Sequence, residues 1–556
     1  MAKQFITHAN PIDLPNDERR PLSSLPVSLG CLMLPGLLML GACVNRPTKQ
    51  EQPAGTESQK VPPVVKAPST ALRAPRFSCG GTQNIQFGPS IPPDMSNVTS
   101  QFDANCFAWA EFIALNWPAA AMGGTADAFF GSPGDLGTVQ WQTFMSKQQL
   151  FSPEGGTPPP WGTPQSISED CLAEANVSSQ QAKSMLALNV VSKFETQFTS
   201  GSGNQAFPLD LPSWLGAANG TNVWYDVRVS QPEYAYIAEK KLYNAANQQA
   251  LVDGGTGSPV VNPMGSLQSN TLGAIELKAA WMEVPNPQDS RWNAYKLSPA
   301  VVVEPTTQKC RATTVALVGF HIIHKTVSQP TWIWATFEHV NNAPDHGADP
   351  GTTSWNFYDP QCRPRTIELD ASCSVDGRTS VTVDCTPNVS PPYWLGEGCP
   401  APVPIQVTRL TPIDPVARAT NQTIQTALAR YYPDSVWKNY VLVNTLWSRT
   451  PSPNPTTPVK TPLPFTGATP SLNVPIANTT METYLQTGTP EEASNCINCH
   501  KNASIAGDSG WAADFSFLFG LASEPPPPGQ PLKLRSLVPG RPQKVVYPPT
   551  MRRILR

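Results

Sequence analysis

A five-residue motif late in the chain constrains its fold more than any other feature. Residues 496–500 read Cys-Ile-Asn-Cys-His, and two cysteines three positions apart lie on one side of a helical turn. This spacing is the attachment signature of c-type haem, because each thiol can bond to one vinyl group of the same porphyrin. The histidine that follows, His500, then offers a ring nitrogen to the iron. The motif therefore predicts a short helix that presents Cys496, Cys499 and His500 to one haem c cofactor.

Three other interpretations of this motif fit the neighbouring sequence less well. A thioredoxin-like Cys-x-x-Cys follows a buried strand, whereas residues 481–495 are polar. A zinc knuckle needs a second pair of ligands, and the sequence contains no further Cys or His after His500. A disulfide between Cys496 and Cys499 would close a cramped loop. The sequence therefore favours covalent haem over these alternatives.

The beginning of the chain predicts export. Arg19 and Arg20 precede an apolar stretch, residues 25–42, which ends in Leu-Gly-Ala directly before Cys43. Small residues before a cleavage point are typical of signal peptides, and this context resembles the lipidation site of bacterial lipoproteins. The stretch is near the lower length limit of a membrane-spanning helix and contains a Pro-Gly break, which favours cleavage. We therefore predict a lipoprotein-type signal peptide over residues 1–42.

Lipidation of Cys43 would anchor the protein stably in a membrane. Export and lipidation together predict a location in the cell envelope, on the periplasmic side. Val44 follows the cysteine, which favours the outer membrane over the inner one by resemblance to lipoprotein sorting.

Composition fits an exported chain and gives no reason to expect a nucleic-acid partner. Charged residues make up 14% of the 556 residues, and the formal net charge is −3. Of the 12 cysteines, one falls in the signal peptide, one is the lipid site and two belong to the haem motif. The even remainder predicts disulfides in an oxidising compartment, with buried thiols as the alternative. These cysteines are Cys79, Cys106, Cys171, Cys310, Cys362, Cys373, Cys385 and Cys399.

The spacing of apolar residues predicts an α+β protein with a large, mixed, β-rich domain and peripheral helices. A flexible tether, residues 43–76, precedes this domain, which spans residues 77–447. Helices are predicted at 103–117, 178–199, 232–247 and 414–431. Strands are predicted at 272–284, 300–304, 313–323, 331–340 and 381–384.

Three further segments complete the predicted organisation. Residues 448–475 are rich in Ser, Thr and Pro and predict a linker. Residues 476–525 form the predicted cytochrome c-like haem segment, small and helical, with helices at 481–486 and 512–522. Residues 526–556 form a basic, Pro-rich tail, which suits either a solubilising end or contact with an acidic partner or lipid headgroups.

The sequence leaves the sixth ligand of the haem iron open. Met551, in the basic tail, is the one methionine after the motif. The large domain contributes His321, His324 and His339 as candidate catalytic residues near Glu338. On alternating strands, His321 and His324 point to opposite faces, so one of them at most shares a face with His339. The three histidines suit a distal haem pocket, a second metal site or ordinary hydrogen-bonded positions in strands.

Several stretches resemble an uncharacterised family of exported bacterial cytochrome c-like proteins with one Cys-x-x-Cys-His motif. The matching segments are 106–118, 276–281, 318–326, 332–342 and 496–521. The resemblance implies haem binding and an electron-transfer role, and it implies nothing about a substrate.

The sequence thus predicts an exported c-type cytochrome with one covalent haem, which exchanges electrons with a redox partner protein. Two alternatives stay open: an open-site, peroxidase-like haem oxidoreductase, and a haem-based ligand-binding or sensor protein. Whether the protein is an enzyme is therefore undecided, with electron transfer favoured. No Ser-His-Asp order, phosphate-binding loop or paired-carboxylate signature supports a hydrolase or a kinase.

Overall fold

The β-branched and aromatic runs in the middle of the chain form one large antiparallel sheet in the computed structural model. The structure describes residues 76–80, 84–95, 98–119, 130–152, 155–189, 215–304, 309–370, 379–383, 385–388, 406–465, 468–469, 475–484, 486, 495–507 and 509–524. The predicted signal peptide, Cys43, almost all of the tether and the basic tail lie outside these ranges. The domain boundaries drawn from the sequence stay predictions.

The described strands form one main sheet and two small two-stranded sheets. They are β1 (Arg76–Ser78), β2 (Asn84–Gln86), β3 (Met145–Ser146), β4 (Leu186–Leu188), β5 (Val223–Val229), β6 (Ile275–Val284), β7 (Leu297–Val303), β8 (Cys310–His324), β9 (Ile333–His339), β10 (Arg365–Glu368), β11 (Ser380–Val383), β12 (Tyr440–Ser448) and β13 (Ala468–Thr469). β1 pairs with β2 and β10 with β11, while the main sheet has the order β13-β12-β9-β8-β6-β5-β3.

Strand β8 is the centre of the main sheet. One of its edges pairs with β6 along ten registered positions. The other edge pairs with β7 at its first half and with β9 at its second half. These pairings are antiparallel, whereas β4 joins β7 in parallel. The long β8 therefore fixes the relative register of three neighbouring strands.

The helices are peripheral to this sheet. They are α1 (Gln101–Leu115), α2 (Lys147–Leu150), α3 (Glu169–Glu174), α4 (Ser179–Ala182), α5 (Gln231–Glu239), α6 (Ala245–Val252), α7 (Pro415–Tyr431) and α8 (Cys496–His500). Within the described ranges, no helix is long and apolar enough to cross a membrane. One large antiparallel sheet with several surrounding helices confirms the predicted α+β class.

Local sequence explains where the two longest helices begin. Ser100 caps α1 through a bond from the Asp103 backbone N–H, and the Asp103 side chain bonds back to Ser100. Asp414 caps α7 as predicted, accepting bonds from the N–H groups of Val416 and Ala417. Pro415 occupies the first helical position, where no N–H is needed.

The two faces of the main sheet bury different partners. On the first, here called the helical face, Phe320, Ile322 and Phe337 pack with residues of α1 and α7. Phe112 of α1 stacks on Phe337 with ring centroids 4.3 Å apart. On the second, here called the segment face, Ile323 and Trp334 pack with residues from the last part of the described chain.

Three disulfides bear out the expected pairing of cysteines. Cys79 bonds to Cys106 and Cys171 to Cys310. Cys362 bonds to Cys385. The remaining two cysteines of the predicted set, Cys373 and Cys399, lie outside the described ranges.

Candidate functional site

Helix α8 presents the cysteine motif on the segment face. Asn495 caps the helix, and its side-chain oxygen accepts a bond from the Asn498 N–H at 3.1 Å. Ile497 is buried in the same apolar cluster as Ile323 and Trp334. Cys496 and Cys499 lie three positions apart and are both partly buried. Ile497 thus anchors a single helical turn, and the two thiols lie on the same side of that turn.

The ring of His500 is fixed by one hydrogen bond and two aromatic neighbours. Its Nδ1 lies 2.8 Å from the backbone oxygen of Phe515, so Nδ1 carries the proton and donates it to that carbonyl. The tautomer leaves the lone pair on Nε2. The ring centroid lies 4.7 Å from that of Trp334 and 4.9 Å from that of Phe517.

The acceptor carbonyl of Phe515 belongs to an unusual piece of backbone. Asp514 and Phe515 have φ values of 52° and 67°, in the left-handed region that side chains with a Cβ rarely adopt. Each such residue costs on the order of 1–3 kcal/mol, and it persists where its surroundings hold it. The strained pair aims the Phe515 carbonyl at His500.

The side chain of Asp514 holds this backbone in place. One carboxylate oxygen accepts a bond from Lys325 Nζ at 2.7 Å, and the other accepts one from the Asn262 N–H at 2.7 Å. The Asp514 backbone oxygen accepts a bond from the indole of Trp332 at 2.9 Å. Burial raises the pKa of Asp514 and lowers that of Lys325, and each opposes the shift of the other. Asp514 is therefore the main anchor of the loop that orients His500.

Two buried carboxyl groups lie directly behind this loop. Glu276 of β6 is opposite Ile323 on the segment face, and Glu233 of α5 faces it. Burial raises the pKa of Glu276 to about 7, against the opposing effect of the Ser516 hydroxyl beside it. Burial and the charge of Glu276 raise the pKa of Glu233 well above its ordinary value. The Glu233–Glu276 pair thus retains a proton near neutral pH, and it lies beside Ser516, the residue after Phe515.

The structure does not bring His321, His324 and His339 together. His324 lies on the helical face, opposite Ile275, and is fully buried. Its Nδ1 is 2.5 Å from Glu111 of α1. Burial raises the pKa of Glu111, and the neighbouring His324 opposes this shift. His324 is therefore half of a buried pair that joins α1 to the sheet.

His339 is also enclosed, at the end of β9. Its Nε2 donates to the Ala294 oxygen at 3.0 Å, and its Nδ1 accepts from the Asn341 N–H at 3.2 Å. The ring stacks on Tyr295 with centroids 3.7 Å apart. Burial lowers the pKa of His339 to about 3. With both nitrogens bonded, the ring is a neutral structural residue.

His321 is the member of the trio that lies on the segment face. It pairs with Lys278 across one strand boundary and with Thr336 across the other. Its Nε2 lies 3.2 Å from Glu482, and the two side chains are 14% and 11% exposed. His321 thus lies on the same side of the sheet as α8.

The residues around Glu338, where a second metal site was one of three alternatives, form hydrogen bonds and an ion pair with one another. Glu338 pairs with Arg409 and accepts bonds from the N–H and hydroxyl of Thr479. Among the residues that the structure describes, no group of three or more His, Cys, Asp or Glu side chains is placed to hold a metal ion.

Sequence reasoning missed the residues behind His500. Glu233, Glu276, Lys325 and Asp514 come from four separate parts of the chain, and no spacing rule links them. The one available signal was that charged residues sit inside otherwise apolar runs, as Glu276 and Lys278 do in β6.

Comparison with protein-family models, curated proteins and solved structures finds no match for this chain.

Proposed function

We propose that the protein is an exported c-type cytochrome in which Cys496, Cys499 and His500 hold one haem. The observation that carries the proposal is the bond from His500 Nδ1 to the Phe515 oxygen. Histidines that ligate metals commonly donate their other ring N–H to a carbonyl or carboxylate, which fixes the tautomer and increases the basicity of the ligand. An imidazole held in this way by a strained loop suits an axial ligand of iron.

The two thiols also fit covalent attachment. Each S–H would add across one vinyl group: a sulfur–carbon bond forms, and the proton goes to the neighbouring vinyl carbon. Cys496 and Cys499 are partly buried on one helical turn, beside a histidine whose Nδ1 is already bonded. A bound haem would supply one-electron redox chemistry, while the chain would orient it and limit its access to water.

The surroundings of the motif suit a cytochrome c-like segment within residues 476–525. Phe515 and Ile497 belong to one apolar cluster with Trp334. Backbone bonds from Leu463 to Lys501 and from Ala512 to Val459 join the preceding segment to it. Aromatic and aliphatic walls around a haem lower the local dielectric and so influence its potential.

Export and the membrane anchor remain part of the proposal. Three disulfides favour an oxidising compartment, because such bonds are rare in reducing cytosol. This fits the periplasmic side of an envelope, where lipidation at Cys43 would hold the protein near a redox partner.

The test is covalent haem in the full chain, expressed in a bacterial host that exports proteins and attaches haem c. We expect the denatured, acid-extracted protein to retain one haem, seen as a mass increase and as a pyridine haemochrome spectrum. The double variant Cys496→Ser/Cys499→Ser should lose the covalent haem, while Cys362→Ser/Cys385→Ser should keep it. An exported, folded wild-type protein without covalent haem would refute the proposal.

A further inference from the structure

We propose that the Glu233–Glu276 carboxyl pair takes up one proton from solvent when the haem is reduced and releases it on reoxidation. This inference rests on the proposed function and adds a proton-binding site that is coupled to the same redox centre. One electron from the redox partner protein converts iron(III) to iron(II). One proton from solvent converts the Glu276 carboxylate to the carboxylic acid, so the added negative charge is balanced.

The two carboxyl groups bond to each other inside the protein. Glu233 lies in the first turn of α5 and is fully buried, and Glu276 of β6 is 7% exposed. Burial raises the pKa of both groups, and their mutual hydrogen bond raises that of Glu233 further while it lowers that of Glu276. Glu233 therefore keeps its proton and donates it to Glu276, which is the member that titrates.

The immediate neighbours of Glu276 in the sheet are apolar. It lies opposite Val229 of β5 on one side and opposite Ile323 of β8 on the other. An ionised carboxylate is expensive in such a place, and burial raises the pKa of Glu276 to about 7. Because a shift of one pKa unit is a tenfold change in proton affinity, a small change in the local electrostatic potential changes the protonation of Glu276 near neutral pH.

The charged and titratable groups that face the pair have partners of their own. Asp514 raises the pKa of both carboxyls, and it is itself paired with Lys325 at 2.7 Å. Tyr236 of α5 accepts a bond from the Val261 N–H at 3.2 Å. Lys278, two positions further along β6, has its Nζ 5.0 Å from the centroid of the Tyr225 ring.

A short run of chain connects the pair to the proposed iron ligand. The Ser516 hydroxyl accepts from the Leu518 N–H at 3.2 Å, so its own proton can bond to Glu276. The preceding residue, Phe515, accepts the bond from His500 Nδ1 at 2.8 Å. An electron added at the haem makes the potential around this loop more negative, which favours a protonated carboxyl. By linkage, a protonated pair in turn favours the reduced haem.

The experiment is potentiometry on the full, haem-loaded chain between pH 5 and 9. We expect the midpoint potential of wild type to fall as pH rises through 7, by at most about 59 mV per pH unit for one proton per electron. Glu276→Gln, which has the same shape and cannot titrate, should lose most of this slope. Glu239→Gln, at an exposed position of the same helix, should keep it.

A second measurement needs no variant that might fail to fold. The infrared difference spectrum of wild type, reduced minus oxidised at pH 7, should gain a carbonyl band of a protonated carboxylic acid. The band should shift in deuterium oxide and be absent from Glu276→Gln. A pair that serves packing alone would give neither the band nor the slope.

Three results would overturn the inference while the proposed function stands. They are a wild-type midpoint potential that is constant between pH 5 and 8, a Glu276→Gln protein that keeps the full slope, and a reduction spectrum without the carboxylic acid band. Each of them is recorded on a protein with covalent haem. A folded, exported wild type that lacks haem would instead refute the proposed function, and this inference with it.

Discussion

The two faces of the central sheet use the same residue types for different purposes. On the helical face, His324 and Glu111 form a fully buried pair between β8 and α1, and His339 is enclosed with both nitrogens bonded. On the segment face, His321 and Glu482 keep some exposure to solvent, and His500 is oriented by a backbone carbonyl. His324 follows His321 by three positions along β8, and this odd spacing alone assigns them to different faces.

The role of a histidine in a strand cannot be assigned from its neighbours in sequence, because the face on which it lies decides its partners. A buried imidazole between two fixed partners stabilises the fold and is unavailable for chemistry. His500 differs in that it closes the Cys-x-x-Cys-His motif and its Nδ1 donates to a backbone carbonyl, an arrangement that suits the proposed haem ligand. We expect substitutions on the helical face to change stability alone, and those on the segment face to change the haem site as well.

The largest stability effect should come from His324→Ala. Removing one partner of a buried pair leaves Glu111 uncompensated, which should lower the free energy of unfolding by about 3–5 kcal/mol. Chemical denaturation measures this loss, and the haem spectrum of the folded variant should match wild type. Glu111→Leu/His324→Leu, which removes both polar groups, should recover much of the stability. A changed haem spectrum would contradict the expectation that substitutions on the helical face alter stability alone.

Lys325→Met should have a similar energetic cost and a second effect. It leaves the buried Asp514 without its cation, so we expect a loss of about 3–5 kcal/mol. Because Asp514 anchors the loop that bonds His500, the midpoint potential of the haem should also rise as that hydrogen bond weakens. Potentiometry on the folded variant checks this, and an unchanged potential would show that the loop does not depend on Asp514.

Glu276→Gln should reduce the dependence of the free energy of unfolding on pH. The pKa of Glu276 is raised from 4.5 to about 7, so the folded protein keeps a proton that the unfolded chain has lost in that interval. Its contribution is complete below pH 4.5 and disappears as pH rises through 7, a change of up to about 3 kcal/mol. The variant should show a flatter profile in denaturation between pH 5 and 8. Glu239→Gln, at an exposed position of α5, should keep the wild-type slope.

The smallest effect should come from His346→Ala. The side chain is exposed and makes one bond to Thr408, so the free energy of unfolding should change by less than about 0.5 kcal/mol. Calorimetry or denaturation would detect a larger loss, which would mean that this loop contributes more than its contacts indicate.

The sequence predicted the parts of the fold that local patterns control. Helix α7 begins at Pro415 after Asp414 as expected, and the predicted strands 313–323 and 331–340 match β8 and β9 with small changes in their ends. β-branched and aromatic runs specify such strands locally.

Helices were predicted wrongly where tertiary contacts dominate. The predicted helix 178–199 is described as far as residue 189, and within that part Ser179–Ala182 is helical while Leu186–Leu188 forms a strand beside β7. The described part of 481–486 consists of turns and a bend, and 512–522 contains only the short 3₁₀ helix Phe517–Leu521. The bond from the Gln486 side chain to the Thr408 oxygen and the bond from the Ala512 N–H to the Val459 oxygen hold these two segments. No local pattern predicts such distant partners.

The motif residues of the candidate site could be predicted from the sequence, whereas the residues that hold His500 in place could not. Cys496, Cys499 and His500 could be named from spacing alone. Asp514, Lys325 and the Glu233–Glu276 pair could not, because they meet only when the sheet forms.

The most direct test of the proposed function is the optical spectrum of the exported protein after denaturation and acid extraction, recorded oxidised and reduced. We expect the absorption of one covalently bound haem, because Cys496, Cys499 and His500 lie together on one short helix. An exported, folded protein that shows no haem absorption after this treatment would contradict that expectation.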